Sequence, residues 1–303
     1  MTFLAINLMD IDSLPSASGE PAGFAAMRDL AIMADEMGVD KIVLPEHVLI
    51  SRQAHANREG FPYPVEASWF DPMVALGAIA AVTRNARLST NVMIAPLRPA
   101  PLLAKQLATL DALSGGRLDA AFGVGWQREE YDAAERAFEG RFGTMDEQIA
   151  ACRALWAGGD AQFVGKKVSF DDAWSMPQPV QGAALPIYLG LALTPRGVQR
   201  VVTLADGWQA PPMPAAEFAD AVATITDAAG TKPMHFTGAL SIHPRGTVMS
   251  AVDDPFAQAA GLWQAGAHTV IAHPRHFCES MADVERYLTD LVAQREATAV
   301  TDS

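Results

Sequence analysis

Short β-type runs alternate with longer helical patterns along most of the chain, and this alternation constrains the fold more than any other feature. Such alternation favours parallel strands joined by right-handed crossovers. The predicted strands are Phe3–Leu8, Lys41–Leu44, Arg87–Pro96, Arg117–Val124, Leu185–Gly190, Gly207–Ala210, Met234–Ile242 and His268–Ala272. Paired with the helical stretches between them, they give eight strand–helix units, which predict one α/β domain over residues 1–303 with the architecture of a (β/α)8 TIM barrel.

A doubly wound parallel sheet is the alternative fold for this alternation. That fold normally carries a glycine-rich phosphate loop directly after its first strand. Residues 8–20 contain a single glycine, Gly19, and do not resemble such a loop. The barrel is therefore the favoured fold.

Two segments are longer than the usual barrel connections and are predicted insertions. Residues 49–70 follow the second strand, and residues 158–182 precede the fifth. The first leaves the C-terminal end of a strand, where barrel active sites lie, so we expect it to form part of a substrate lid. The second contains the aromatic residues Phe163, Phe170 and Trp174, which indicate packing rather than disorder.

The charge and cysteine content restrict the partners of the chain. It has 22 Lys and Arg against 35 Asp and Glu, a net charge of −13, which disfavours nucleic acids and anionic membranes as partners. Cys152 and Cys278 lack the spacing of a metal or redox motif. The N-terminus lacks a signal-peptide pattern, and the longest apolar run, Met73–Val82, is too short to span a bilayer. We expect a cytoplasmic protein that acts on a small molecule.

The ends of the predicted strands carry the candidate functional residues. These are Asn7, Glu46, His47, Thr90, Asn91, Met93, Gly123, Gly125, Trp126, the turn 190–194, His243, Arg245, His273 and Arg275. The set contains no Ser-His-Asp arrangement, no HExxH motif and no carboxylate cluster, so no metal site is predicted. Glycines, aromatic rings and amides instead favour a flat, largely apolar cofactor with a phosphate tail.

The local sequence is compatible with two interpretations for several of these residues. His47 is either an acid–base group or a structural histidine. Gly123-Val-Gly125 is either a close approach to a ligand or a simple turn. The turn Gly190–Pro195 either binds a phosphate at a helix N-terminus or is an ordinary threonine N-cap followed by proline. Arg245 and Arg275 are candidates for a phosphate site after the last two strands.

Six motifs, read in order, carry a family resemblance. They are Leu44-Pro-Glu-His47, Ala86-Arg-Leu-Ser-Thr-Asn-Val92, Leu103-Ala-Lys-Gln106, Thr109-Leu-Asp-Ala-Leu-Ser-Gly-Gly-Arg-Leu118, Gly123-Val-Gly-Trp-Gln-Arg-Glu-Glu130 and Leu204-Ala-Asp-Gly-Trp208. The series resembles the luciferase-like monooxygenase superfamily, in particular its branch of coenzyme F420-dependent oxidoreductases. The resemblance extends from the first strand to about Trp208.

The resemblance implies a barrel that binds a flavin or deazaflavin ring at the strand C-termini. By matching position, Glu46 and His47 are the catalytic pair near the ring and substrate. The residues expected to bind the cofactor are Thr90, Asn91, Val92, Gly125, Trp126, Gly190, Leu191, Ala192 and Thr194. The first three match a strand bulge beneath the ring, with a non-prolyl cis peptide expected at Asn91–Val92. Leu191 departs from the pattern, because many relatives have glycine there.

The implied activity is hydride transfer between coenzyme F420 and an organic substrate. In this reading His47 handles the proton, because its unperturbed pKa of about 6.5 suits that role at neutral pH. Glu46 would favour the charged form of His47. A basic rim would suit the polyglutamate tail of F420, and its candidate residues are Arg52, Arg58, Arg98 and Arg128. The alternatives are an FMN-dependent monooxygenase that uses oxygen, and a non-catalytic flavin-binding barrel. Relatives are often dimers, so we also expect a homodimer.

Overall fold

Eight parallel strands form a closed barrel in the computed structural model, which describes residues 1–15, 21, 23–242 and 254–301. In chain order, the strands of the described residues are β1 (Phe3–Asn7), β2 (Lys41–Leu44), β3 (Arg87–Thr90), β4 (Met93–Ile94), β5 (Leu118–Gly123), β6 (Ala161–Val164), β7 (Ser169–Ala173), β8 (Ile187–Leu189), β9 (Gly207–Gln209), β10 (His235–Ala239) and β11 (Thr269–Ala272). In the barrel, β3 and β4 are two parts of one strand, and β6 and β7 form a separate two-stranded sheet. Strand β1 pairs in parallel with both β2 and β11, which closes the sheet. The predicted TIM-barrel fold is confirmed.

The helices lie between the strands along the chain, as expected for a barrel. They are α1 (Gly23–Glu36), α2 (Arg52–Asn57), α3 (Pro72–Ala80), α4 (Ala100–Ser114), α5 (Arg128–Ala133), α6 (Arg141–Trp156), α7 (Pro195–Leu204), α8 (Ala215–Ala229), α9 (Pro255–Gln264), α10 (Pro274–Phe277) and α11 (Met281–Thr301). Capping residues set some of these ends. The Asp71 carboxylate accepts the N–H groups of Met73 and Val74 at the start of α3, and Gly115, at φ 70°, ends α4.

The third predicted strand, Arg87–Pro96, is interrupted in the structure. Its two parts, β3 and β4, are separated by Asn91 and Val92, and the peptide bond between these two residues is cis. The expected cis bond is therefore confirmed. Both parts still pair with β5, so the break leaves the barrel closed.

Side-chain alternation along the strands produces two packing regions. Ala5, Val43, Ala239 and Ile271 form a small apolar cluster, one residue from each of four neighbouring strands. The sequence neighbours of Ala5, Val43 and Ile271 on their strands belong instead to the main core, which also contains apolar residues of the surrounding helices. Because side chains alternate faces in a strand, the small cluster lies inside the barrel.

The N-terminal end of the barrel holds a buried ion cluster. Lys41 Nζ lies 2.6 Å from Asp119 Oδ2, and Arg87 also pairs with this carboxylate. Burial raises the pKa of Asp119, but the attraction of Lys41 and Arg87 outweighs it, and the net pKa is lowered. Charged groups at this end of a barrel contribute to stability rather than to catalysis.

The insertion at residues 158–182 contains an antiparallel hairpin of β6 and β7. The rings of Phe163 and Phe170 lie 6.0 Å apart, which agrees with the expected packing. Trp174 does not follow that expectation, because it is 68% exposed. No helix within the described residues is long and apolar enough to cross a membrane.

Candidate active site

A cavity of about 390 Å³ lies at the C-terminal ends of the barrel strands. This volume is within the range of small-molecule sites, about 300–1,000 Å³. Its described lining consists of Asn7, Pro45, Tyr63, Asn91, Val92, Gly190, Leu191, Ala192, Gln209, Ala210, Pro211, Pro212, Ala239, Ile242 and His273. Five of the residues predicted to bind a cofactor are therefore brought together here: Asn91, Val92, Gly190, Leu191 and Ala192. None of the described lining residues carries a charged side chain.

The side chain of Val92 fills the space between the ends of β5 and β8. A Cβ atom placed on Gly123 would lie 2.6 Å from Val92 Cγ2, and one on Gly190 would lie 2.8 Å from Val92 Cγ1. Gly125 has φ +62°, and a Cβ there would lie 3.0 Å from Ile94 Cγ2. The close approach considered for Gly123-Val-Gly125 is therefore made by Val92 and Ile94.

The turn Gly190–Thr194 connects β8 to α7. The Thr194 hydroxyl accepts the N–H of Gly197 at 3.1 Å, and Pro195 occupies the first turn of the helix. Thr194 thus acts as the N-cap of α7, which was one of the two predicted interpretations of this turn. Arg196 follows in the same turn, is exposed, and has no ion-pair partner in the described part of the chain. Arg196 was not selected from the sequence, although a cation at a helix N-terminus is a useful phosphate ligand.

His47 is buried in an aromatic environment directly after β2 and Pro45. Its ring makes edge contacts with Trp69, Trp126 and Phe61, at centroid distances of 4.6, 5.7 and 6.1 Å. The indole Nε1–H of Trp126 donates to His47 Nε2 at 3.3 Å. Because an indole nitrogen only donates, His47 Nε2 accepts here, and the amide Nε2 of Gln127, which is also a donor, lies 3.3 Å from His47 Nδ1.

Glu130 provides the acidic partner of His47. It lies in the first turn of α5 and is fully buried. Its Oε2 lies 3.1 Å from His47 Nδ1, and its Oε1 accepts the N–H of Val48 at 2.6 Å. His47 Nδ1 therefore faces a fixed carboxylate, which orients the ring and turns Nε2 towards Trp126.

Glu46 has a different environment from the expected one. Its carboxylate forms a bidentate pair with Arg98, at 2.9 and 2.5 Å, and accepts the N–H of Ile94 at 2.7 Å. Burial raises its pKa above the usual value, although Arg98 and Ile94 lower it. Glu46 does not line the cavity or hydrogen-bond to His47 among the described contacts. We therefore correct the expectation that Glu46 tunes His47: it fastens the end of β2 to β4, and Glu130 contacts the histidine.

The predicted basic rim is also corrected at one position. Arg98 is 9% exposed, and its guanidinium is held by Glu46 and Asp71, so it cannot reach a ligand at the rim. Arg52, Arg58 and Arg128 are exposed, but Arg52 pairs with Glu66 and Arg128 with Glu139, and none of the three is in the described lining of the cavity, so the rim stays a prediction.

The predicted lid, residues 49–70, packs its aromatic side chains above His47. Tyr63 is 7% exposed and lines the cavity. Phe61 and Trp69 stack with centroids 6.3 Å apart, and the Arg58 guanidinium lies 4.3 Å from the Trp126 ring centroid. These contacts place the segment against the site, while opening and closing remain a prediction.

Gln127 ties the start of this segment to the loop after β5. Its Oε1 accepts the N–H of Ser51 at 2.9 Å, and its Nε2 donates to the carbonyl of Leu49 at 3.1 Å. Both Gln127 and Glu130 belong to the 123–130 motif but were not selected from the sequence. Acidic or amide side chains just after a strand-end Gly-Trp were the signal that could have found them.

Four further candidates have structural partners or lie outside the described residues. The Thr90 hydroxyl donates to the carbonyl of Ala121 at 2.6 Å and accepts its N–H at 2.9 Å, so it fastens β3 to β5 and does not line the cavity. Arg275 lies 3.8 Å from Asp10 and donates to Ser13, which draws it towards the loop after β1. His243 and Arg245 lie outside the described residues.

The chain belongs to the luciferase-like monooxygenase family, whose sequence model matches residues 1–298. An uncharacterised protein of Mycobacterium tuberculosis is 37% identical over 185 residues, which cover 59% of this chain and 64% of that protein. An F420-dependent glucose-6-phosphate dehydrogenase of Nakamurella multipartita is 29% identical over 195 residues, covering 63% of this chain and 53% of the dehydrogenase. The matches thus span about half to two thirds of these curated relatives.

A solved structure confirms the shared fold. The oxygenating constituent of 3,6-diketocamphane monooxygenase from Pseudomonas putida, in complex with FMN, superposes with a TM-score of 0.69 at 13% identity. The superposition covers 96% of this chain and 98% of the monooxygenase. One of these relatives is named as F420-dependent, and another is a monooxygenase solved in complex with FMN.

Proposed function

We propose that this protein transfers hydride between coenzyme F420 and an organic substrate, with His47 as the acid–base residue. The observation that carries the proposal is the buried His47–Glu130 pair, 3.1 Å apart, with His47 two residues after Pro45, which lines the cavity; no described lining residue is a lysine, arginine, aspartate or glutamate. An imidazole held in one orientation by a carboxylate is suited to proton transfer. The dehydrogenase of Nakamurella multipartita, named for its dependence on F420, supports the choice of cofactor.

The cavity residues fit a flat ring with a phosphate tail. Val92 and Leu191 offer apolar surface, while Asn91 and Gln209 bring amide groups to the cavity. We assign the phosphate to Arg196, an exposed cation in the first turn of α7. When bound, a deazaflavin supplies a carbon that gives or accepts hydride. The protein supplies the surface, the anchor and the proton.

His47 Nε2 is the atom that we assign to proton exchange. Nδ1 faces the buried side chains of Glu130 and Gln127, so Nε2 is the ring nitrogen that can exchange partners. In this structure Nε2 accepts from Trp126, and substrate would replace that indole as its partner. Glu130 would stabilise the imidazolium that forms when Nε2 takes up a proton.

An FMN-dependent monooxygenase is the second candidate, supported by the FMN-bound relative of the same fold. Titration of the purified protein with F420 and with FMN, followed by fluorescence quenching, separates the two functions. We expect saturable F420 binding that is tighter than FMN binding. Tight FMN binding without any response to F420 would refute the proposal and favour the monooxygenase.

Arg196→Ala refines the same titration. Loss of a charge-assisted hydrogen bond to phosphate is expected to weaken F420 binding about 10-fold. Arg286→Ala is the matched control, because Arg286 lies on α11 and pairs with Asp283. It should leave F420 affinity unchanged.

A further inference from the structure

His273 is a buried histidine whose Nε2 has no hydrogen-bond partner among the described residues. It follows β11 directly, lines the cavity, and is 3% exposed. Buried polar groups are nearly always hydrogen-bonded in native proteins. An unpaired imidazole on a cavity wall therefore points to a ligand that supplies the missing partner.

The ring of His273 is uncharged at neutral pH. Burial, followed by the proximity of His276, lowers its pKa to about 3. It therefore offers a neutral hydrogen-bonding group to the cavity.

Asn7 lies beside His273 on the neighbouring strand. Ile6 pairs with Ala272 in the parallel register, and Asn7 and His273 are the next residues along β1 and β11. The Oδ1 atom of Asn7 accepts the N–H of Met9 at 2.9 Å, which fixes the orientation of the amide. Its Nδ2 remains a donor, without an acceptor among the described residues. Both side chains line the cavity.

The other polar side chains of the cavity differ from this pair. Asn91 Oδ1 accepts from Gln209 Nε2, so these two amides already bond to each other. No lysine, arginine, aspartate or glutamate occurs in the described lining. An anionic group in this cavity would lose its hydration without gaining a cation from these residues, which is costly.

Resting on the proposed function, we propose that Asn7 and His273 bind the substrate, and that the substrate is an uncharged, largely apolar molecule with a carbonyl or hydroxyl oxygen. The Nδ2–H of Asn7 donates to that oxygen, and the imidazole of His273 forms the second hydrogen bond. A sugar phosphate would find no cation among these described lining residues once the cofactor phosphate occupies Arg196, so we expect a substrate class different from the one in the name of the Nakamurella multipartita relative.

Cyclohexanone and glucose 6-phosphate are the probes that test this assignment. Protein labelled with 13C and 15N in its histidines is titrated with each probe, with and without F420, and the imidazole signals are followed by NMR. We expect cyclohexanone to shift the His273 signals saturably and glucose 6-phosphate to leave them unchanged. His273→Leu should weaken cyclohexanone binding about 3- to 10-fold, the equivalent of one hydrogen bond.

Two variants control for changes in packing. His273→Gln retains a polar group near the position of Nε2 and should recover part of the affinity. His268→Asn lies at the opposite end of the barrel, where it can still accept the N–H of Phe236, and should bind cyclohexanone like the original protein. The melting temperature of ligand-free His273→Leu should not fall, because the variant loses no internal hydrogen bond.

Several results would overturn the assignment. They are unchanged cyclohexanone affinity in His273→Leu, tighter binding of glucose 6-phosphate than of cyclohexanone, and a loss confined to F420 affinity.

The proposed function can fail separately. If F420 does not bind while cyclohexanone still binds through His273, the function is wrong and the polar pair stands. If F420 binds and reacts normally while His273→Leu has no effect on cyclohexanone, the pair is wrong and the function stands.

Discussion

Replacing Arg98 by methionine tests whether Glu46 has a structural role. The Glu46 carboxylate is 1% exposed as a side chain, and Arg98 provides both of its charged hydrogen bonds. Removing one partner of a buried ion pair typically costs about 3–5 kcal/mol, because the other charge is left buried without compensation. We expect a loss of that size in the free energy of unfolding at pH 8. Glu46→Gln should cost less, because Asp71 remains 3.1 Å from Arg98.

The double variant Glu46→Gln/Arg98→Met completes the cycle. A glutamine can still accept the N–H of Ile94, and no buried charge remains, so the double variant should lose less than Arg98→Met alone. The expected coupling energy is about 2–3 kcal/mol, the upper part of the range for residues in contact.

The pH dependence of Arg98→Met gives an independent check. Removing Arg98 removes the main groups that lower the pKa of Glu46, so the folded pKa rises further above the unfolded value. A carboxyl with a raised folded pKa loses stability as pH rises from the unfolded to the folded pKa. The deficit of the variant should therefore be smaller at pH 5 than at pH 8. Urea unfolding followed by tryptophan fluorescence measures all of these values. Equal stability of Arg98→Met and the original protein at pH 8 would refute the reasoning.

Three further predictions concern other contacts. Gly190→Ala places a Cβ 2.8 Å from Val92 Cγ1 and should lower the unfolding free energy by about 1–3 kcal/mol, as measured by urea unfolding. The double variant Gly190→Ala/Val92→Ala should recover most of this loss. The folded pKa of His273 lies at about 3, below an unfolded value of about 6.5, so only the unfolded state takes up this proton as pH falls between them. The titration of His273 should therefore lower the unfolding free energy by about 2 kcal/mol as the pH falls from 7.5 to 5. His273→Leu should abolish this contribution to the pH dependence. Glu130→Gln should lower turnover and shift its pH profile while F420 affinity changes little, because Glu130 contacts His47 and does not line the cavity.

The barrel could be predicted because its signals are local. Hydrophobic runs, the Asp71-Pro72 cap and the glycine pair after α4 each mark an element boundary within a few residues. The break in the third strand was expected only through the family resemblance at Asn91–Val92. The packing that accompanies the break places the Val92 side chain between Gly123 and Gly190, which are far from it in sequence. A local pattern cannot show such a contact.

The site was harder to predict because its partners are long-range. The pattern Glu46-His47 places two ionisable groups side by side, but neighbouring residues in an extended chain point to opposite faces. Glu46 therefore reaches Arg98, while His47 meets Glu130, which is 83 residues away. Burial of Arg98 is equally invisible to a local reading. The expected homodimer stays a prediction.

Single-turnover oxidation of bound, reduced F420 by a panel of uncharged ketones and enones tests the central claim most directly. The rate and the F420 dissociation constant are measured for the original protein, His47→Ala and the control His268→Asn. A positioned acid–base group contributes about 10²–10⁴-fold to rate, so His47→Ala should slow the reaction by that factor with little change in F420 affinity. His268→Asn should react normally. A near-normal rate in His47→Ala, a loss explained wholly by weaker F420 binding, or no oxidation by any acceptor would contradict the account.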